Sequence, residues 1–370
     1  MKPTVLHVCI SPGLGGLELY SLQLHKKFKS EGYPSLHFCL EESPFEEKLQ
    51  AENLEAISFK KAKYFSPSIS RKMRKIIIER KIEKIFIHHL KDLWFLVPAL
   101  RGLDKVELVG FAQMFIKDIS KKDFLHSWLY NRMKNLITLT DIQKEQLKKC
   151  LPLKENRYIT IPNSIELAKT ENLQAAREKI REDLSYNPEN MVIGIVGRLD
   201  PWKGQLELLQ AFVNIQERFP EARLLIVGSE TPGEEGYRQK LLDTISNHNV
   251  SNKVQMIGFQ KNVPEWMSAM DIFVMPSYEE AFGIVLAEAM CVGLPVISTE
   301  AGGVPDILVS KDLGQMVEPR SSKAIEKGLI KYLQDDEYRQ NTAKAGQSYA
   351  RDAFDFEKAY LKIKGLMNLT

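Results

Sequence analysis

Two glutamates lie in the segment Pro276–Met290, which combines a loop with the start of a predicted helix. Glu280 precedes Phe282-Gly283, where the helix is predicted to begin, and Glu288 lies about two turns further on. Amide groups at a helix N-terminus bind phosphate or sugar oxygens. One carboxylate before the helix and one within it could therefore hold different hydroxyl groups of a ligand. A helix-dipole role for Glu280 and a solvated position for Glu288 are the structural alternatives.

Two cations lie at a second place that favours ligand binding. Arg198 and Lys203 belong to the segment Gly197–Gly204, directly after the apolar run Met191–Val196. Ligands of open parallel sheets bind at the carboxyl ends of the strands. An arginine offers two parallel donors and a lysine offers a mobile point charge, and this pair suits a diphosphate. The pattern therefore indicates a diphosphate site, and a surface loop with solvated cations is the alternative.

Two glycine-containing loops also follow predicted strands. The loop Gly13–Gly16 comes after Val5–Ile10 and precedes an apolar helical pattern, so its amides could approach an anion. Its spacing is not the G-x-G-x-x-G of dinucleotide-binding proteins, and a tight turn without a ligand is the alternative. Gly302-Gly303 follows Pro295–Ser298, where it could complete a binding site or serve the fold alone.

The elements that must position these residues alternate between apolar strands and helices. Many of the strand candidates are apolar along their whole length, as parallel strands buried on both faces are. A first series comprises Val5–Ile10, Lys84–His88, Val106–Ala112, Leu136–Thr140 and Tyr158–Ile161, and a second comprises Met191–Val196, Arg223–Val227, Val254–Ile257, Asp271–Met275 and Pro295–Ser298. The stretch 162–190 between the two series predicts a linker. The sequence therefore predicts an α/β protein with two parallel sheets.

The composition is that of an ordinary globular enzyme, with 44% hydrophobic and 27% charged residues. Its 370 residues are typical of two domains. No apolar run approaches the roughly 18 residues of a membrane helix, and the start of the chain leads directly into a strand, unlike a signal peptide. The four cysteines form no CxxC pair or metal-ligand spacing, so neither a disulfide framework nor zinc is expected. We therefore expect a cytoplasmic protein.

Positive charge is concentrated in the first half of the chain. Residues 1–165 contain 28 Lys+Arg and 18 Asp+Glu, a net charge of +10, whereas residues 166–370 carry −7. A basic segment with apolar residues at roughly helical spacing contributes Lys60, Lys61, Lys63, Arg71, Lys72, Arg74, Lys75, Arg80, Lys81 and Lys84. Phe115-Ile116 and Lys121–Phe124 mix cations with apolar side chains nearby.

This basic segment favours peripheral contact with the anionic inner face of the cell membrane. An ordinary amphipathic helix with a solvated face is the alternative. Nucleic acid is not expected as a partner, because no recognised binding module accompanies the charge.

Taken in order along the chain, these motifs resemble those of glycosyltransferase family four, which has the GT-B fold, and the resemblance covers nearly the whole chain. It rests on Gly15-Gly16-Leu17-Glu18, Ile161-Pro162-Asn163-Ser164 (with Ser for the usual last Gly), Gly197-Arg198-Leu199 with Lys203-Gly204, the Glu-x(7)-Glu pair within Pro276–Met290, Cys291–Ile297 and Gly302-Gly303. The resemblance implies two Rossmann-like domains that face each other across a cleft. Residues 1–165 would bind the acceptor, residues 166–345 would bind the donor, and residues 346–370 would return to the first domain.

The resemblance also implies the residues that hold the donor nucleotide. Arg198 and Lys203 would bind the diphosphate, and Glu288 would take the ribose hydroxyls. Gly15 and Gly16 would close over the phosphates from the other domain. The family needs no divalent metal or cofactor, and the absence of a DxD-type motif from this chain fits that property.

The transferred sugar has its own set of implied residues. Glu280 would hold it together with the backbone amides of Phe282, Gly283 and Ile284. Glu280, Arg198 and Lys203 would be the catalytic residues, since charge builds on the diphosphate as the glycosidic bond breaks. The family retains the anomeric configuration, and the leaving phosphate oxygen would take the acceptor's proton.

The acceptor side departs from the family at one place. Many members carry a histidine after the strand that matches Val106–Ala112, and Gln113 stands there in this chain. His88 and His89 end an earlier strand and are, with Gln113, the candidates for the acceptor side. A structural position is the alternative for either histidine.

The resemblance therefore implies a retaining, metal-independent hexosyltransferase that moves a sugar from a nucleotide-diphosphate sugar, UDP preferred, to a hydroxyl of a glycan or lipid-linked acceptor. Cell-surface polysaccharide or lipopolysaccharide synthesis is the expected process. Another GT-B enzyme, such as a nucleotide-sugar 2-epimerase, is the alternative. A nicotinamide-dependent oxidoreductase is disfavoured, because it would need G-x-G-x-x-G at the first loop. A catalytically silent sugar-nucleotide sensor is disfavoured, because it would not need Glu280, Glu288, Arg198 and Lys203 intact.

Overall fold

The computed structural model describes residues 2–60, 62, 64–114, 120–230 and 235–369. The chain forms two compact units, Met1–Asn163 with Glu357–Thr370, and Ser164–Phe356. The limits predicted from the sequence, after residues 165 and 345, remain predictions. Lys61, Lys63 and Phe115-Ile116, which belong to the predicted membrane contact, lie outside the described residues.

The first unit contains a parallel sheet with helices along the crossover connections. Its strands are β1 (Thr4–Cys9), β2 (Ser35–Leu40), β3 (Ala56–Phe59), β4 (Ile82–Ile87), β5 (Glu107–Ala112), β6 (Asn135–Thr138) and β7 (Tyr158–Thr160). Its helices up to residue 163 are α1 (Gly16–Ser30), α2 (Pro44–Ala51), α3 (Pro67–Glu79), α4 (Leu93–Ala99), α5 (Phe124–Tyr130) and α6 (Asp141–Cys150). The strand order is β3-β2-β1-β4-β5-β6-β7. Leu6, Val8, Ile85 and Leu108 on the central strands have no exposed surface, as the continuous apolar pattern requires.

The second unit repeats this architecture. Its strands are β8 (Met191–Val196), β9 (Ala222–Val227), β10 (Val254–Ile257), β11 (Ile272–Met275), β12 (Val296–Thr299) and β13 (Gln315–Val317). Its helices are α7 (Gln174–Asp183), α8 (Gln205–Ile215), α9 (Tyr237–Asn247), α10 (Val263–Ser268), α11 (Ile284–Val292), α12 (Ser322–Gln334) and α13 (Asp336–Ala353). The strand order is β10-β9-β8-β11-β12-β13, and β8 and β11 are therefore neighbours.

The last helix of the chain, α14 (Phe356–Leu366), packs on α1 of the first unit. The ring of Tyr360 is fully buried and lies 5.0 Å from that of Phe28. Lys364 Nζ lies 2.8 Å from a carboxylate oxygen of Glu31. No helix among the described residues combines the length and apolar character needed to cross a membrane.

The predicted α/β architecture with two parallel sheets is confirmed, and every strand predicted from the sequence is present within two residues of its predicted ends. The sequence pattern misses β2, β3 and β13. β3 and β13 are short strands at the edges of the sheets and are partly exposed, so they lack a continuous apolar run. β2 carries a buried histidine, His37, in the middle of its run.

Four histidines pack against one another in the core of the first unit. His7 on β1, His25 on α1, His37 on β2 and His88 directly after β4 are each at most 1% exposed. The Nδ1 atom of His7 lies 3.2 Å from Nε2 of His88, and the Nδ1 atoms of His25 and His37 are 2.7 Å apart. Burial lowers the pKa of His25 to about 4 and that of His88 to about 3. It also lowers the pKa of His7 and His37 well below the ordinary value, so all four imidazoles are neutral at neutral pH.

We expect the free energy of unfolding to decrease as the pH falls below about 6.5, the pKa of histidine in an unfolded chain. Each histidine with a lowered folded pKa takes up its proton more readily when the chain is unfolded. Its contribution to stability is therefore complete above the unfolded pKa and is lost as the pH falls toward the folded value. One such group costs at most about 1.4 kcal/mol per pH unit, and urea unfolding at pH values from about 7.5 to 5.5 measures the slope.

The matched variants are His25→Gln, which removes one buried imidazole, and His248→Gln, which removes an exposed one after α9. His25→Gln should show a shallower decrease of stability with pH than the wild type, and His248→Gln the same decrease. A wild-type stability that does not change over this range would show that the buried imidazoles titrate as they do in the unfolded chain.

Candidate functional site

Two loops meet at the carboxyl edge of the second sheet because β8 and β11 are neighbours. The loop after β8 carries Arg198 and Lys203, and the loop after β11 carries Glu280. Nζ of Lys203 lies 2.5 Å from Oε1 of Glu280, and the hydroxyl of Ser277 donates to the same oxygen at 3.0 Å. The two charged side chains are only 23% and 14% exposed. Reduced contact with water strengthens this ion pair relative to a pair on the open surface.

The backbone around Lys203 is held by short-range hydrogen bonds. Lys203 ends a short 3-10 turn, Pro201–Lys203, in which Oδ1 of Asp200 accepts from the amide of Trp202 at 2.9 Å. Gly204 follows with a φ of 69°, and a Cβ atom on it would clash with the carbonyl oxygen of Pro276. Only glycine allows this approach of the two loops, so Gly204 is required for the contact between Lys203 and Glu280.

Arg198 combines a fixed backbone with an accessible side chain. Its carbonyl oxygen accepts a hydrogen bond from Nε2 of Gln205 at 2.7 Å. Its guanidinium is 3.3 Å from Oδ2 of Asp200, and the side chain is 59% exposed. A single exposed contact of this kind is weak, so the guanidinium is available to an anion at this edge of the sheet.

The helix that follows Glu280 begins at Ile284, slightly later than the predicted start at Phe282-Gly283. Gly283 is the N-cap residue, with a left-handed φ of 91°, and a Cβ atom on it would crowd Met275. Phe282 is buried, with its ring 5.5 Å from that of Phe354, which holds the backbone in place. The first amides of a helix have no acceptor within it. The amides around Ile284 are therefore donors for an anion or a sugar hydroxyl.

Glu288 lies in the middle of α11, whose neighbouring residues Ala287 and Ala289 are fully buried. Glu288 itself is partly buried. This burial raises the pKa of Glu288 to about 7, and the charge of Lys169 opposes the effect. The raised pKa favours a ligand-binding position for Glu288 over the solvated alternative that the sequence left open. A carboxyl group with a pKa displaced in this way is typical of functional sites.

The glycine loop after β12 supports the loop after β11. The hydroxyl of Thr299 donates to the carbonyl oxygen of Ser277, and the amide of Gly303 donates to the carbonyl oxygen of Glu280 at 2.9 Å. The second alternative for Gly302-Gly303, a role in the fold, therefore has direct support. Through these bonds the loop also positions Glu280.

The glycine loop of the first unit lies at the start of α1, where Gly15 is the N-cap residue and Gly16 the first helical residue. The amide of Gly15 donates to a carboxylate oxygen of Glu18 at 2.7 Å. Gly15 has a φ of −133°, which any residue adopts, and a Cβ atom on Gly16 would have no neighbour within 4 Å. In contrast to Gly204, the described structure does not require glycine at these two positions.

The three acceptor-side candidates have different environments. His88 is 1% exposed and stacks on Phe111 at 4.9 Å, which places it in the core. His89 is partly exposed, with Nδ1 3.1 Å from Oδ1 of Asp92. Gln113 directly follows β5, and neither polar atom of its buried amide has a hydrogen-bond partner. An unpaired buried amide costs free energy, so Gln113 is the candidate whose environment points to a ligand.

A cavity that the sequence analysis missed lies at the carboxyl ends of β8, β9 and β10. It has a volume of 340 Å³ and is lined by Leu199, Gly228, Ser229, Glu230, Arg238, Met256, Ile257 and Gly258. The hydroxyl of Ser229 accepts a hydrogen bond from the amide of Phe259 at 2.8 Å and joins the ends of β9 and β10. The sequence does contain a signal for this cavity: Gly228-Ser229 and Gly258-Phe259 directly follow two predicted strands. The ends of those strands lie at the same edge of the sheet as Arg198.

A larger cavity of 610 Å³ lies on the opposite side, at the amino ends of β11 and β12. Its arginines are engaged: Arg177 and Asp271 lie 2.6 Å apart, and Arg351 donates to the carbonyl oxygens of Thr170 and Cys291. These side chains attach the start of the second unit to its sheet. Among the described residues there is also no cluster of three or more His, Cys, Asp or Glu side chains that could hold a metal ion.

Two family models match this chain, one on each unit. The model described as Glycosyltransferase Family 4 matches residues 14–169, and the model described as Glycosyl transferases group 1 matches residues 176–349. The second match includes both glutamates, both cations and the cavity at the carboxyl ends of β8 to β10.

Individual relatives match over shorter stretches. The trehalose synthase of Pyrococcus horikoshii is 30% identical over 185 residues, which cover 48% of this chain and 44% of that protein. The lipopolysaccharide core biosynthesis mannosyltransferase LpsB of Rhizobium meliloti is 23% identical over 184 residues, which cover 48% of this chain and 52% of that protein. The chain thus spans about half the length of these curated relatives.

A solved structure matches the whole chain. HepE of Anabaena in complex with UDP superimposes with a TM-score of 0.87 and 22% identity, covering 99% of this chain and 100% of that one. At this identity the match establishes the fold, which is GT-B. Because the two family models account for both units in the same order, this protein belongs to glycosyltransferase family 4.

Proposed function

We propose that this protein is a retaining, metal-independent glycosyltransferase that moves a sugar from UDP-sugar to a hydroxyl of a glycan or lipid-linked acceptor. The process that we infer is cell-surface polysaccharide or lipopolysaccharide synthesis, at the inner face of the membrane. The observation that carries this proposal is the meeting of Lys203, Glu280 and the N-terminus of α11 at one edge of the second sheet. Positive charge, a carboxylate and amide donors are the groups that a sugar diphosphate requires.

The ion pair between Lys203 and Glu280 gives the site a way to couple donor binding to sugar binding. In the protein described here each side chain neutralises the other. A donor diphosphate would compete for Lys203 Nζ, and Glu280 would then be free to accept hydrogen bonds from sugar hydroxyls. Lys203 and Arg198 would stabilise the charge that develops on the leaving diphosphate.

The nucleoside part of the donor has a suitable place at the same edge. The 340 Å³ cavity begins next to Arg198, at Leu199, and is the place that we propose for the nucleobase. Glu288 would accept hydrogen bonds from the ribose hydroxyls. The UDP complex of HepE, which shares the fold, supports UDP as the nucleotide.

The first unit would supply the acceptor side. Gly15 and Gly16 have no steric or conformational need for glycine in the described structure, which supports the proposed approach of donor phosphates to their backbone. Gln113 has an unpaired amide that a sugar hydroxyl could satisfy. His89 is the second residue after the end of β4. The lipopolysaccharide relative LpsB supports a glycan or lipid-linked acceptor.

The direct test is a thermal-shift comparison of the full chain with UDP, GDP, ADP and NAD. UDP should raise the unfolding temperature most, since a ligand that binds only the folded state stabilises it by mass action, by about 2.7 kcal/mol at 100 times its Kd. Stabilisation by NAD alone would contradict the proposal. Turnover of a UDP-sugar in the presence of a chelator, with the anomeric configuration of the product read by NMR, then tests metal independence and retention.

Replacing Arg198 or Lys203 with Ala should strongly reduce turnover of the UDP-sugar while the protein stays folded. Loss of one charge-assisted contact to the diphosphate should cost roughly 2–4 kcal/mol of transition-state stabilisation. Lys323→Ala, an exposed lysine on α12, is the matched control and should keep wild-type turnover. If the variants at positions 198 and 203 turn over as fast as this control, the two cations are not part of the site.

Glu280→Gln and Glu288→Gln should affect different steps. Glu288→Gln should weaken binding of free UDP, whereas Glu280→Gln should bind UDP almost normally and lose sugar transfer. Because the pKa of Glu288 is raised to about 7, its carboxylate is mostly ionised above this pH and mostly protonated below it. Wild-type affinity for UDP should therefore be about tenfold higher at pH 8 than at pH 6 through this group.

Isothermal titration across this pH range measures both effects. UDP itself titrates near neutral pH, and the dependence that remains in Glu288→Gln gives that contribution. The assignment fails if the two variants lose UDP affinity equally, or if the Gln variant at position 288 keeps the full wild-type dependence on pH.

A further inference from the structure

The basic segment at positions 60–84 is less available than its sequence suggests. Most of its described cations have partners within the first unit: Lys72 donates to the carbonyl oxygen of Ser58, Arg74 to those of Ala99 and Arg101, Lys75 pairs with Glu79, Arg80 with Glu55, and Lys84 with Glu107. The backbone contacts of Lys72 and Arg74 and the ion pair of Lys84, which is 14% exposed, occupy side chains that a membrane would have to recruit. The side chains of Lys75 and Arg80 are more than half exposed, so their ion pairs are weak. The charge of this segment therefore does not by itself identify a membrane-binding surface.

The part of the first unit around Phe124, which the sequence analysis named with Lys121–Phe124, exposes large apolar side chains. Phe124, Leu125 and Trp128 on α5 are 85%, 52% and 45% exposed. Tyr64 and Phe65, in the loop before α3, are 59% and 56% exposed. We call these five residues the aromatic surface. Clusters of exposed apolar residues are uncommon on monomers and mark contact with a protein or a membrane.

Ring contacts connect the two parts of the aromatic surface. The ring of Trp94 on α4 lies 5.9 Å from Tyr64 and 5.6 Å from His126 on α5. Leu129 and Tyr130 anchor α5 in the core, since they are at most 4% exposed. Its N-cap residue, Asp123, accepts from the amide of His126 at 3.1 Å and pairs with the ring of the same residue. The exposed side chains thus project from an ordered part of the fold.

Cations flank the aromatic surface. Lys91, after β4, and Lys122, before α5, are exposed and make no ion pair within the described residues. Lys121 is partly buried, with Nζ 5.9 Å from the ring centre of Tyr130, and burial and the charge of Lys91 lower its pKa. Asp123, which follows Lys122 in the chain, is occupied by His126. This part of the surface therefore has an excess of positive charge.

We propose that the aromatic surface is the part of this protein that enters the interface of an anionic lipid bilayer. Tryptophan, tyrosine and phenylalanine are favoured at the depth of lipid headgroups, and adjacent lysines are attracted to anionic lipid. The unpaired lysines favour a bilayer over a second copy of the chain, because like charges would face one another across a symmetric contact. The inference deepens the membrane contact of the proposed function and does not depend on the donor site.

The test is binding of the full chain to phosphatidylcholine vesicles with and without phosphatidylglycerol. The wild type should bind only the anionic vesicles. The triple variant Phe124→Ser, Leu125→Ser, Trp128→Ser should bind them about tenfold or more weakly, because the insertion of apolar side chains is lost. The quadruple variant with Gln at positions 71, 72, 74 and 75 should lose less binding than the triple variant, because it keeps the apolar side chains.

Val309→Ser is the matched control, because this exposed apolar residue lies in a loop of the second unit, and it should bind vesicles as the wild type does. Fluorescence adds a direct readout: brominated lipid should quench the wild type, and quenching should decrease in Trp128→Phe. Equal binding by the triple variant and the wild type would overturn the proposal, as would loss of binding in the quadruple variant alone. A wild-type dimer that the triple variant converts to a monomer, without vesicle binding, would assign the surface to self-association instead.

The UDP thermal shift of the triple variant separates this inference from the proposed function. An unchanged shift shows that the variant is folded and that its donor site is intact. If UDP stabilises neither protein while the vesicle results follow the expectation, the proposed function fails and the membrane surface stands.

Discussion

The parallel pairing of β8 with β11 is the constraint on which the chemistry of the second unit depends. It brings together two strand ends that are far apart in the chain, so that Lys203 and Glu280, 77 positions apart, form one ion pair. The contact also needs Gly204, which lets one loop approach the backbone of the other, and Gly303, which holds the carbonyl of Glu280. These contacts hold the backbone of both loops in place, so only the side chains of Lys203 and Glu280 would have to separate for an anion to bind.

The two units use buried polar groups differently. In the second unit, Lys203 and Glu280 neutralise each other, and burial raises the pKa of the Glu288 carboxyl group. In the first unit, imidazoles such as His7 and His88 lie in the core and are kept neutral by desolvation. A buried group of either kind costs free energy unless it is paired. In the first unit that cost is offset by packing, and in the second unit Lys203 and Glu280 are paired with each other.

The surface of the first unit shows why net charge is a poor guide to a binding surface. The sequence of this unit has an excess of lysine and arginine, but side chains such as Arg74 and Lys84 bond to carbonyl oxygens or acids of the same unit. The exposure of apolar side chains distinguishes possible binding surfaces of this unit better than its net charge does. Phe124 and Trp128 remain in water beside Lys122, and a combination of apolar area and unpaired charge discriminates between surfaces better than charge alone.

The sequence by itself determined the α/β class, the two parallel sheets and the loops that carry Arg198, Lys203 and Glu280, because apolar runs and glycine-rich strand ends are local patterns that need no partner to be recognised. It did not separate His88 from Gln113 as acceptor-side candidates, since both simply follow a strand in the sequence. Only the tertiary structure placed one in the core and left the amide of the other unpaired. Burial, the pairing of charges and the order of strands in a sheet depend on contacts between distant segments, and no local pattern contains them.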